Sequence, residues 1–241
     1  MRGTGTLLNV AAVILGTVVG AFLGHRFTER MRATVMAVLG LGTLTLGISQ
    51  ALEAFGPKLA RVAGRGGFLV VLGSLLMGGL AGDALDLEGR VTRFGDRLRD
   101  RFATGDSTFT EGFALASLVF CVGPLAVLGS IRDGVSGDIQ LLAIKSLLDG
   151  FASLVFASGL GWGVGFSAMT VLVYQGSLTA ASAGLGPILS PPLVAALTAT
   201  GGVMIIAIGL RLLALKEIAV ANLLPALLIA PVVARVLIAI R

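Results

Sequence analysis

The sequence predicts an all-α, polytopic transmembrane bundle, and three observations predict it. Of the 241 residues, 56% are hydrophobic and 13% charged, and the mean hydropathy of +0.98 lies far from that of soluble domains. Apolar runs of about 20 residues, enough to cross roughly 30 Å of hydrocarbon, recur along the chain. Glycine is abundant inside those runs, with 35 in the chain, where soluble helices avoid it. The chain therefore reads as one transmembrane domain over residues 1–241 with the lipid bilayer as its solvent.

Eight runs qualify as spans: Leu7 to Gly24, Ala33 to Leu52, Gly67 to Gly82, Thr110 to Ile131, Gln140 to Leu160, Trp162 to Ser182, Pro191 to Ala214 and Glu217 to Ile238. Seven is the alternative count, because Gly159, Gly161, Gly163 and Gly165 leave a very short connection between the fifth and sixth. The first run is not a cleavable signal peptide, since one arginine precedes it and Gly24 leads into charged residues. The fourth and seventh have expected starts: Thr108 with Glu111 as a capping box, and Ser190 before Pro191.

Lysine and arginine sit mostly between the runs, which suits anionic headgroups rather than nucleic acid despite the net charge of +5. Arg26, Arg30, Arg32, the five arginines from Arg90 to Arg101, Arg211 and Lys216 give one side ten basic residues against seven. The positive-inside bias then puts both termini outside the cytoplasm. The longest loop has a pattern of its own. Leu87, Val91, Phe94, Leu98 and Phe102 recur at helical spacing among Arg90, Arg93, Arg97, Arg99 and Arg101. Residues 87–102 thus predict an amphipathic helix lying in the membrane interface, with Phe94, Leu98 and Phe102 toward lipid. It serves as a surface strut or as a docking site for a partner.

Gly16, Gly20 and Gly24 form a small-xxx-small ridge on the first span, and Gly78 and Gly82 another on the third. Such ridges bring helices together inside one chain or form a homo-oligomer seam. In the fourth span Gly123 and Pro124 interrupt the helix, since proline cannot continue the hydrogen-bond ladder. The break either serves packing or forms a discontinuous helix lining a solute or ion site. A short match of residues 42–52 with 202–212, carrying Gly42, Ile48 and Leu52 onto Gly202, Ile208 and Leu212, would make the second and seventh spans correspond in an inverted repeat.

The fifth span holds the chain's most costly residues, Lys145 and Asp149. Each charge costs roughly 2.5–3.5 kcal/mol at mid-bilayer. Spaced by four, the two can pair on one helical face, and Lys145 is near enough to the span's end to snorkel. Asp149 has less escape. Ser146 and Ser153 on the same helix, and Ser167 and Gln175 on the sixth span, extend a polar seam. The pair is either a structural device or the charged element of a hydrated or ligand-lined cavity.

Enzymatic chemistry is not expected. His25 is the only histidine, so HExxH zinc sites and serine–histidine sites fail. Cys121 is the only cysteine, which excludes a thiolate metal cage. A serine–lysine pair on neighbouring positions is badly oriented, no Walker loop is present, and no metal or cofactor is anticipated.

The ordered segments GTLLN (Gly5 to Asn9), FCVGPLAVLGSIRDG (Phe120 to Gly134), KSLLDGFASLVFA (Lys145 to Ala157) and YQGSLT (Tyr174 to Thr179) resemble the YdfK/YqgA family, bacterial inner-membrane proteins of unknown function. The resemblance covers nearly the whole chain. It implies a multi-pass protein of the bacterial cytoplasmic membrane, with transport as an expected activity and no substrate attached. The resulting expectation is a transporter or channel for a small polar solute or ion, with Lys145, Asp149, Gln175, Ser146, Ser153, Gly123 and Pro124 along its pathway. A non-transporting scaffold or sensor using the arginine-rich surface helix is the alternative.

Overall fold

A backbone surrounded by lipid must satisfy its own polar groups, and helices do so within one segment. The computed structural model, which describes residues 2–24, 28–102, 108–122, 124–182 and 190–240, with backbone alone at 32, 35, 36, 39, 65 and 124, is accordingly helical, with no strand among the described residues. The α-helices are α1 (Thr4–Gly24), α2 (Glu29–Ala51), α3 (Pro57–Ala63), α4 (Gly67–Ala84), α5 (Leu87–Phe102), α6 (Phe109–Cys121), α7 (Pro124–Ser136), α8 (Gln140–Leu160), α9 (Gly163–Ala180), α10 (Pro191–Leu212) and α11 (Ala226–Ile240).

The eight expected runs fall on helices except at the start of the eighth, where Glu217, Ile218 and Ala219 are not helical and α11 begins at Ala226. Among the described residues, however, five helices are long and apolar enough to span, or six if α6 and α7 form one bent span. The five are α1, α4, α8, α10 and the stretch Val220–Ile240. The expected count of eight is thus higher than the number that length and hydropathy support. α9 shows why a run can be helical yet fall short: its 18 residues include Ser167, Thr170, Gln175, Ser177 and Thr179. Two of these, Ser167 and Gln175, are fully buried.

The chain divides into two compact units, residues 1–39 with 91–187, and residues 40–90 with 188–241. In the first, α1 lies along α8, and α9 packs on α1, α6 and α7. The ridge on α1 supplies the contact. A Cβ on Gly16, Gly20 or Gly24 would run into the carbonyls of Gly150, Leu154 and Ser158, one helical turn apart along α8. These glycines therefore serve helix contact within the chain, the first of the two uses open to them.

Helix α5 has the expected bounds, yet Leu98 is 8% exposed and clusters with Phe109 and Phe113. The Phe94 ring lies tilted against Phe113 at 5.7 Å between centroids, and that of Phe102 against Phe166 at 5.3 Å. The apolar stripe is thus partly spent on α6 and α9, so the expectation that Leu98 faces lipid is corrected. Arg90, Arg93, Arg97 and Arg101 are exposed. The expected capping box at Thr108 is also absent. Its hydroxyl donates to the Leu160 carbonyl at 3.1 Å, and Glu111 is exposed.

The second unit has an apolar centre in which Ala54, Leu59, Val71, Leu193, Ala196, Ala199, Ala230 and Ala234 pack together. Pro191 starts α10 at its first turn, as expected, although Ser190 makes no side-chain cap. Gly78 and Gly82 on α4 lie against Ala226 and Asn222. The two segments of the short internal match run antiparallel against each other, with Gly47 beside Gly202 and Ile206, and Gly209 beside Leu44. Glu88 gathers the polar ends. It accepts from Arg211 at 2.9 Å and from the Ala221 amide at 2.8 Å, while its own amide donates to Asn222 Oδ1.

Candidate functional site

Among its described residues the first unit buries the charged side chains of Asp133, Lys145 and Asp149. Helical spacing of four sets Lys145 and Asp149 on one face of α8, and the lysine ammonium is ion-paired to Asp149 Oδ2. Lys145 is 5% and Asp149 8% exposed, so the lysine turns inward instead of snorkelling. Asn9 on α1 donates its side-chain amide to the same Oδ2 at 2.9 Å. The Lys145 ammonium also lies 5.9 Å from the centre of the Phe120 ring, on the last turn of α6.

The helix break adjoins this group. α6 and the body of α7 meet at 61°, with Pro124 as the first residue of α7, where its missing N–H leaves no helical bond unmade. Gly123 lies outside the described residues. The fourth expected span is thus two helices, with the end of the first beside Lys145.

The remaining expected residues divide into two kinds. Ser146 and Ser167 donate their hydroxyls to carbonyls of their own helices, Leu142 and Val164, both at 2.6 Å. They are satisfied locally. Ser153 and Gln175 are 0% exposed, and neither the serine hydroxyl nor either polar atom of the glutamine has a hydrogen-bond partner among the described residues. Asn9 Oδ1 is in the same condition. α1 and α9 run antiparallel, since Thr17 meets Gly165 while Thr6 and Thr179 border one cavity. That register sets Gln175 at the level of Asn9. Buried polar groups are nearly always paired, so the unmet capacity of Asn9 and Gln175 at one level marks a place for water or a polar ligand.

Asn9, Asp133 and Ser130 received no site role from the sequence. An asparagine in an otherwise apolar span is a signal that could have been weighed. Asp133 is fully buried and accepts the Gly3 and Gly5 amides at 3.0 Å each, capping the N-terminus of α1 from a residue 128 positions away. Nothing local to Asp133 announces that contact. Ser130, also on α7, is buried with no partner for its hydroxyl among the described residues. No three His, Cys, Asp or Glu side chains among the described residues gather closely enough to hold a metal ion.

The chain belongs to a protein family of unknown function, DUF554, whose model matches residues 4–235. It is 31% identical over 229 residues to the uncharacterized membrane protein YdfK of Bacillus subtilis, covering 95% of this chain and 94% of that one. It is 32% identical over 231 residues to the uncharacterized protein YqgA of Escherichia coli, covering 94% of each. No solved structure matches the chain.

Proposed function

We propose that this member of the family is a transporter or channel for a small polar solute or ion in the bacterial cytoplasmic membrane, with its pathway in the first unit. The observation that carries the reading is the buried Lys145–Asp149–Asn9 group together with the unmet hydrogen-bonding capacity of Asn9, Ser153 and Gln175. Each buried polar group left without a partner costs about 1–3 kcal/mol. Several in one unit make sense where water or a solute completes them. The break between α6 and α7 ends α6 beside Lys145, and discontinuous helices are a common setting for solute sites. The role is non-enzymatic on this reading, with Ser146 turned onto its own helix.

The test is flux in liposomes reconstituted with the purified protein, read for sodium, potassium, chloride and proton gradients and by swelling in small charged and neutral solutes. It is run with thermal stability on Lys145→Met, Asp149→Asn and the double variant Lys145→Met, Asp149→Leu. A pathway role predicts that Asp149→Asn stays folded with flux lost, and that the double variant folds but is inactive. Full flux in the folded double variant would reduce the pair to a packing device. No flux from the wild-type protein would favour a scaffold that docks a partner through the exposed arginines of α5. Both termini face the periplasm on this proposal, and terminal reporter fusions active only in the cytoplasm would refute that orientation.

A further inference from the structure

A cavity of about 540 Å³ opens at the N-terminal end of α1, within the first unit. Arg2, Thr6, Gly134, Gly176, Thr179 and Ser182 are among its walls. Thr6 is 3% exposed, and its hydroxyl, like that of Thr179, has no hydrogen-bond partner among the described residues. Arg2 at the rim has one long hydrogen bond, 3.4 Å to the Val135 carbonyl, and no ion pair among the described residues. Behind the wall, each oxygen of the Asp133 carboxylate already takes an amide, from Gly3 and from Gly5. The polar side chains of the cavity wall itself are the Arg2 guanidinium and the hydroxyls of Thr6, Thr179 and Ser182. That set favours an anion, because a guanidinium presents a planar fork of donors to an oxyanion and repels cations. The volume falls within the range of small-molecule sites.

We propose that this cavity is a water-filled vestibule that binds the carboxylate, or another oxyanion group, of a small solute. It leads inward to Asn9 and Gln175, each about one helical turn deeper than Thr6 and Thr179. The inward route rests on the reading of the first unit as a pathway. The vestibule itself does not.

The experiment uses a Cys121→Ser background in lipid nanodiscs and places a reporter thiol in the cavity by Gly176→Cys, where an added Cβ meets nothing within 4 Å. Thr6→Cys is the second reporter. Each is reacted with an anionic sulfonatoethyl thiosulfonate and a cationic trimethylammonium thiosulfonate, and the rates are divided by those for free cysteine. Both reagents should modify the reporters, the anionic one faster by roughly tenfold, and Arg2→Gln should abolish that preference. Val173→Cys, on a residue of the same helix that is 72% exposed and that a spanning α9 would turn toward lipid, should stay unmodified. Reporters that react only after denaturation, or a cationic reagent equal to or faster than the anionic one, would overturn the proposal. Anion-selective labelling without flux keeps the vestibule and removes the pathway; flux without labelling does the reverse.

Discussion

The two units bury different chemistry. In the second, Thr43, Ser74 and Thr200 are the only buried polar side chains among the described residues, and alanine and aliphatic residues fill the interior. Its ion pair between Glu88 and Arg211 sits with both side chains about a quarter exposed. The first unit encloses an ion pair, a buried aspartate cap and most of the unpartnered hydroxyls and amides. Lipid gives no hydrophobic drive for one helix to join another, so close packing alone can hold a bundle together, as in the second unit. On the proposed reading, the polar groups retained in the first at such cost serve the pathway.

The sharpest test of that contrast is to break the buried pair. Lys145→Met or Asp149→Leu alone should destabilise by about 3–5 kcal/mol by leaving an uncompensated charge, whereas the apolar double variant should be neutral or more stable. Thermal unfolding in detergent reads the difference, and a double variant as unstable as the singles would break the comparison. Leu59→Ala in the second unit removes a side chain that is 0% exposed, and should cost about 2–5 kcal/mol through the cavity it leaves. A loss below 1 kcal/mol would mean that the apolar centre is not what holds that unit together.

Gly16→Ala comes next. Its methyl would meet the Gly150 carbonyl, and forcing α1 from α8 should cost roughly 1–3 kcal/mol. Loss of Asn9–Asp149 coupling in a double-mutant cycle on that background would tie the glycine ridge to the site. Asp133→Ala removes the cap of α1 and should cost about 0.5–2 kcal/mol, with amide exchange at the start of α1 rising more than elsewhere. The smallest effect has the opposite sign. Gly73→Ala in α4 has open space around its Cβ, and should stabilise by about 0.5–1 kcal/mol.

Sequence by itself determined the class and most of the helices, because length and hydropathy are local properties and the bilayer fixes what they must be. The bounds Gln140 to Leu160 and Leu87 to Phe102 coincide with α8 and α5. It also determined that Lys145 and Asp149 share a face, since i and i+4 adjoin on any helix. Which side chain completes Asp149 was decided by tertiary structure, for Asn9 reaches it only because the glycines of α1 let the backbone settle against α8. Packing likewise turned Leu98 from lipid toward Phe109 and Phe113. Spacing gives the direction of a face but not what lies opposite. Asp133 makes the same point, its two amide partners lying at the other end of the unit's sequence. A helix repeats every 3.6 residues, so periodicity carries information about neighbours one turn away, while contacts across 128 or 140 residues depend on how closely separate helices can approach.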